Sequence, residues 1–319
     1  MAQQGNTPFG VYVTSPDYLG GVQDIPALAA VCRAQGVPLL VDNAHGAYLR
    51  FLPQNCHPIA QGAAMCCDSA HKTLPVVTGG AYLHLAHDAP VQDEAAVRGA
   101  LALFGSTSPS YLILQSLDAC NAVLAGDYPR RLVQCCAALE GLRRSLNKAA
   151  AARQCPVPLA VAGAQQEPMK LTLDAAALGC TGTALADALR RAQLECEYAD
   201  PRYVVLMFTP ENPPQDYTRL QATMEQLLAA VPAGLPRPEN RAGEFAALQQ
   251  QAVQRCTIRQ AVLGAQVRIP VHKALGRVCA MPTVSCPPAI PVAVSGEEIT
   301  PAAIALMQRY GIEELSVLR

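Results

Sequence analysis

Apolar residues in the first ninety positions come as short unbroken runs, not as alternating patterns. Residues 11–15 (Val-Tyr-Val-Thr-Ser), 38–42 (Pro-Leu-Leu-Val-Asp), 63–68 (Ala-Ala-Met-Cys-Cys-Asp) and 79–85 (Gly-Gly-Ala-Tyr-Leu-His-Leu) read as strands. Between the first two, Asp24 caps a helix with Pro26 in its first turn, and Ile25, Leu28, Ala29 and Cys32 form its apolar stripe before Gly36 ends it. Continuous apolar strands separated by helix or loop predict a parallel sheet buried on both faces. In such sheets ligands gather at the carboxyl ends of strands, where Asp42 and Asp68 stand.

Residues 92–150 carry a helical pattern interrupted by Pro109 and Pro129. The pattern then changes. A strand at 169–173, a helix at 183–194, strands at 195–199 and 203–208 and a helix at 214–230 make a small α+β unit. Residues 232–241 read as a linker. The last section has a Pro-rich stretch at 282–291 and a helix capped by Thr300-Pro301 and stopped at Gly311. The expected division is 1–90 (partial large domain), 91–154 (connecting helices), 155–235 (small α+β domain) and 236–319 (C-terminal module).

Composition narrows the function. The 319 residues are 51% hydrophobic and 15% charged with a net charge of −1, so no basic or acidic block calls for nucleic acid or an anionic membrane. Trp is absent, which argues against base-stacking platforms. The 13 cysteines lie in apolar runs such as Cys66-Cys67 and Cys135-Cys136, with no C-x-x-C pair, and read as buried thiols of a reducing cytosol. The N-terminus carries neither a basic nor an apolar leader segment, and no run reaches a membrane span. A soluble cytoplasmic protein is expected.

One four-residue pattern occurs twice, as Asp42-Asn43-Ala44-His45 and as Asp68-Ser69-Ala70-His71, the second followed directly by Lys72. Three readings compete. Both copies can be polar turns in which Asp caps backbone N–H groups. Two Asp and two His can hold a divalent metal, although that leaves Lys72 unexplained. Or Lys72 can form an imine with pyridoxal phosphate. Asp42 then sits by the ring nitrogen, small Ala44 lies against the ring, and His45 and His71 bond to cofactor or substrate and move protons.

Ser-Ala-His-Lys at 69–72 resembles the S-x-H-K lysine motif of the ornithine/lysine/arginine decarboxylases, which are fold-type I pyridoxal-phosphate enzymes. Residues 13–20, 39–46 and 104–111 resemble further segments of that family, and 287–297 resembles the P-P-G-I-P…P-G-E signature of its last domain. The resemblance implies an α/β fold: a partial aspartate-aminotransferase-like cofactor domain with a parallel sheet, a small α+β domain and a C-terminal module. It implies decarboxylation of ornithine, lysine or arginine with pyridoxal 5'-phosphate as cofactor and no metal. Lys72 would carry the cofactor, Asp42 pair with its ring nitrogen, Ala44 pack on the ring, and Ser69 and His71 contact the phosphate or the reacting centre. His71 or Lys72 would return the proton. Ser106, Thr107 and Ser108 would reach the site of a neighbouring subunit, which makes a homodimer or larger homo-oligomer with shared sites.

Plainer roles exist for each residue. Lys72 alone is an ordinary surface lysine, Ser106–Ser108 can cap a helix before Pro109, Glu297 can favour a helix N-terminus, and Cys286 can be packing. His57, His84 and His87 receive no role, and the acidic partner for a cationic substrate is left unassigned. The match begins in the middle of the family's cofactor domain. A chain truncated in that way would retain the cofactor weakly. Aminotransfer or carbon–carbon cleavage on the same scaffold, and a non-catalytic half that assembles with another chain, are the rival functions.

Overall fold

A computed structural model describes residues 8–154, 166–232, 248, 250–282 and 291–319. The calls on residues 233–241 of the linker and on 283–290, including Cys286 and the Pro287-Pro288 start of the C-terminal signature, lie outside the described residues.

The first sheet holds β1 (Val11–Thr14), β2 (Leu39–Asp42), β3 (Met65–Asp68) and β4 (Tyr82–Leu85) in that order. The first three strands are parallel, as expected, but β4 runs antiparallel to β3. The reason is the short path between them: α2 (Ala70–Thr73) is too brief to act as a crossover, so the chain turns back. Helix α1 (Ile25–Ala34) begins where Asp24 Oδ1 accepts the Ala27 N–H at 3.0 Å, and Gly36 takes the left-handed conformation just beyond its end. Its Ile25, Ala29 and Cys32 pack on Leu39, Val41, Ala63 and Cys66. The other face is less covered than expected, because Leu40 and Asp42 are half-buried and Tyr12 of the edge strand β1 is exposed.

Helices α3 (Glu94–Ala102), α4 (Tyr111–Ala125) and α5 (Tyr128–Ala152) follow. Pro109 falls between α3 and α4, whereas Pro129 lies in the first turn of α5 and starts that helix instead of breaking it. Helix α3 buries no residue, and Leu103 and Phe104 beyond it are also exposed.

The second sheet, ordered β5 (Lys170–Asp174), β7 (Tyr203–Met207), β6 (Tyr198–Ala199), is antiparallel. With α5, α6 (Gly182–Arg191) and α7 (Pro214–Ala230) it encloses a core in which Leu139, Leu146, Leu171, Leu173, Leu189 and Leu228 are fully buried. Each such leucine contributes about 1.5–3 kcal/mol relative to exposure. In the last section α8 (Ile258–Leu263) and α9 (Pro301–Arg309) accompany an antiparallel sheet of β8 (Gln266–Pro270), β10 (Glu314–Leu318) and β9 (Cys279–Met281). Thr300 caps α9, and left-handed Gly311 follows it. Among the described residues no helix is long and apolar enough to cross a membrane. Every cysteine among them is a free thiol.

Candidate active site

The ends of β2 and β3 carry the two Asp-x-x-His turns. Asp42 is half-buried, and its Oδ1 accepts the Ala44 N–H at 3.0 Å, which folds the turn over the strand end. Tyr12 lies against it from β1. Its phenol is pushed up to about 12 by burial and by the Asp42 and Cys67 groups beside it. His45, two residues on from Asn43, is buried and presents Nε2 to Lys72 Nζ at 3.2 Å. Burial, with the cations Lys170 and Lys72 and with His71 nearby, pulls its imidazole down to about 3. At neutral pH His45 is therefore uncharged, and its Nε2 accepts from the Lys72 ammonium. Its Nδ1 then bears the hydrogen, and that buried atom has no partner among the described residues. A buried donor of this kind calls for an acceptor on a bound group.

The second turn supplies Lys72 from α2. Ser69 stands at the helix N-terminus and makes no side-chain bond to it, so its hydroxyl remains available. His71 Nδ1 donates to Gly80 O at 2.9 Å, which fixes the tautomer and leaves Nε2 as an acceptor. Asp42, Ala44, His45, Ser69, His71 and Lys72 thus occupy two adjacent strand ends. Ser106, Thr107 and Ser108 stand elsewhere: all are exposed, and the bonds of Ser106 and Ser108 are to each other, with Ser108 N–H reaching Ser106 Oγ at 3.1 Å. The helix cap near Pro109 is Ser110, not this triplet.

Sequence reasoning missed the residues that arrive from far along the chain. Lys170 of β5 is almost fully buried and donates to the carbonyls of Asp17 and Tyr18, each at 3.1 Å. Thr172 Oγ1 donates to Leu19 O at 2.5 Å, and Glu167 N–H donates to Gly20 O at 2.8 Å. These bonds tie loop 15–21 to the second sheet. Tyr18 is thereby set edge-on to the His45 ring, with centroids 4.9 Å apart, and its hydroxyl donates to Glu197 Oε1 at 2.7 Å. Only contacts spanning about 150 residues assemble this wall, so no local motif announces it.

Asp68, the acid at the other strand end, forms a separate hub. It is buried, its Oδ2 receives His57 Nε2 and His84 Nε2, both at 3.0 Å, and its Oδ1 receives Asn43 Nδ2 at 2.8 Å. Burial raises its pKa, and the bonds from His57, His84 and Asn43 outweigh burial and hold it well below the usual carboxylate range. Among the described residues Asp42, His45 and His71 do not join Asp68 in a metal-sized cluster, so the reading of the two turns as one metal centre fails.

The family model described as "Orn/Lys/Arg decarboxylase, major domain" matches residues 2–215. The chain belongs to the Orn/Lys/Arg decarboxylase family. Among curated relatives of this decarboxylase-family chain, the uncharacterized protein YaaO of Bacillus subtilis (strain 168) is 29% identical over 94% of this chain and 61% of its own length. The arginine decarboxylase of the same organism is 27% identical over 91% of this chain and 59% of its own. The chain thus spans about three fifths of the length of the curated relatives it matches. Among solved structures, the constitutive lysine decarboxylase of E. coli covers 98% of this chain at a TM-score of 0.72 and 17% identity, with 58% of its own length matched. That likeness fixes the fold as fold-type I, the one the sequence implied. A pyridoxal-phosphate group suits the decarboxylase-family residues at the two strand ends. They offer a primary amine, a carboxylate one strand away, a small residue between, and a buried N–H lacking an acceptor.

Proposed function

We propose that this chain carries the lysine, aspartate and histidines of a pyridoxal-phosphate-dependent decarboxylase acting on a basic amino acid. The observation that carries the reading is the 3.2 Å bond from Lys72 Nζ to a buried, uncharged His45, with Asp42 ending the neighbouring strand. When bound, the cofactor supplies the electron sink that makes loss of an α-carboxylate possible. Lys72 is the attachment amine, and the uncharged His45 Nε2 accepts a hydrogen bond from Lys72 Nζ and so orients it. Asp42 keeps a ring-nitrogen proton in place by its negative charge. Ala44 leaves room for a flat ring, and Ser69 Oγ donates to an anionic group at the start of α2. His71 Nε2, held in its tautomer by Gly80 O, accepts or returns a proton beside Lys72.

Glu197 is our candidate for holding the cationic end of the substrate. Tyr18 connects it to His45: the Tyr18 hydroxyl donates to Glu197 Oε1, and the Tyr18 ring stands edge-on to the His45 ring. Ser106, Thr107 and Ser108 act across a homodimer or larger homo-oligomer. The exposed Leu103 and Phe104 beside them are the kind of surface a partner subunit covers.

The test is chemical trapping. The purified chain is mixed with pyridoxal phosphate and reduced with borohydride, and its peptides are mapped. Carbon dioxide release is measured from ornithine, lysine and arginine. Modification of Lys72 and amine formation from one of the three support the reading. Modification confined to other lysines overturns it. Glu197→Gln should raise KM for the preferred substrate about tenfold with kcat less affected, as expected for loss of one charge-assisted contact.

A further inference from the structure

The Asp68 hub lies on the other face of the sheet from Asp42. Cys67 pairs directly with Asp42, so Cys66 and Asp68 point the opposite way, and His84 sits across from Cys66 on β4. The turn at 55–63 brings His57 to the same point. Three separate segments thus aim side-chain donors at one place. His57 Nε2, His84 Nε2 and a carboxylate oxygen of Asp68 lie within 4.8 Å of one another. Cys66 Sγ stands 3.9 Å from His57 Nε2 and 3.4 Å from Asp68 Oδ1.

We propose that His57, Asp68 and His84, completed by Cys66, form a binding site for a divalent cation of the zinc class. Two imidazoles, a carboxylate and a thiol are the donors zinc prefers. Zinc bonds of about 2.0–2.3 Å set edges of about 3.3–3.6 Å between ligand atoms in a tetrahedron. The two nitrogen–Oδ2 edges are 3.0 Å and the Cys66 Sγ–His57 Nε2 edge is 3.9 Å, each within a few tenths of an ångström of that range, and Cys66 Sγ lies 3.4 Å from the carboxylate's other oxygen, Oδ1. Both histidines aim at the same oxygen, Asp68 Oδ2, while Asn43 Nδ2 and Cys66 Sγ address Oδ1. The outer contacts also suit a metal site. Asn43 Nδ2 orients the carboxylate, and Asn55 Oδ1 accepts the His57 N–H at 3.1 Å, steadying its loop. His84, with 39% of its side chain exposed, leaves an entry path.

Binding rearranges protons in a defined way. Each histidine must offer a bare Nε2, so its ring hydrogen moves to Nδ1. For His57 this gives up the long 3.4 Å approach of the Ile59 N–H to Nδ1. Cys66 must lose its proton to solvent, and burial and Asp68 make that thiol hard to ionise without the metal. The metal–sulfur bond forms as the S–H bond breaks, with about one proton released per ion. The site would pin the edge strand β4 and the 55–63 turn to β3, next to the Ser69–Lys72 segment.

The experiment loads the full chain with zinc chloride, removes excess, and counts metal per chain. In parallel, cobalt chloride replaces zinc for spectroscopy. Retention of about one ion per chain, with a tetrahedral cobalt spectrum containing a thiolate band, is expected. His57→Gln/His84→Gln should cut retention at least tenfold, and Cys66→Ser should remove the thiolate band. The other thiols, such as Cys135 and Cys136, are the obvious competitors, so X-ray absorption of the zinc-loaded wild type is decisive even if a variant fails to fold. Mixed histidine and sulfur scattering supports the site. All-sulfur scattering, or wild-type retention below about a tenth of an ion, overturns it.

Discussion

The two Asp-x-x-His turns share a pattern but not a fate. At 42–45 the aspartate is half-buried, with the Ala44 N–H and the Tyr12 phenol beside it, and the histidine is buried beside Lys72. At 68–71 the aspartate is buried and saturated by two histidines, an asparagine and a thiol, and the histidine is bound to a carbonyl. The difference is one of parity. Asp42 pairs with Cys67, not with Asp68, so a one-residue offset sends the second carboxylate to the opposite face. One shared pattern therefore gives one turn a half-buried acid and the other a fully buried one.

The largest effect tests the shared end of this pair. Lys72→Ala should abolish borohydride trapping at the site and lower decarboxylation at least about a thousandfold, since Lys72 Nζ is the amine that His45 Nε2 holds, whereas Lys170 is bound to the carbonyls of Asp17 and Tyr18. Asp42→Asn comes next. It should leave the melting temperature nearly unchanged, because the side chain is half-buried, yet lower turnover by about two to three orders of magnitude by removing the charge opposite the ring nitrogen. A large loss of stability with unchanged turnover would show that Asp42 is another Asp68.

Asp68→Asn should show the reverse. The neutral amide removes a carboxylate that His57, His84 and Asn43 all address, at a cost of about 3 kcal/mol in unfolding free energy. Its folded pKa lies below its ordinary 3.8, so its stabilising effect is complete above that value and is lost as pH falls beneath it. Wild type should therefore lose stability more steeply than Asp68→Asn during denaturant titrations carried below pH 4. Parallel slopes would remove Asp68 from the role of stabilising hub.

Much of the fold was legible. The apolar runs placed β1, β2 and β3, and Asp24, Thr300 and Gly36 marked helix ends because capping is a local property. The site was legible only where it is local. Residues 42–45 and 69–72 could be read because each group lies on one turn. His57 and His84, eleven residues before and sixteen after Asp68, have no spacing that ties them to it until β4 folds back antiparallel. Lys170 and Tyr18 meet only when the second sheet docks on loop 15–21, 152 residues apart in the chain. Strand parity was equally hidden, since it follows from the register of β2 against β3 and not from either strand alone.

The smallest effect probes the buried histidine of the first turn. His45 is held uncharged, with its pKa pulled from 6.5 down to about 3, chiefly by burial and then by Lys170 and Lys72. In the unfolded chain the same imidazole takes a proton near its ordinary value. Between these values the unfolded state binds more protons, so stability rises with pH there. The contribution is whole above pH 6.5 and drains away as pH falls toward 3. His45→Gln keeps an acceptor for Lys72 Nζ but cannot titrate. Its melting temperature should stay flatter than that of wild type between pH 7 and about 5, by a few degrees. If His45→Gln leaves the curve as steep as wild type, the imidazole beside Lys72 is not held uncharged, and the hydrogen-bond-accepting role given to His45 loses its physical basis.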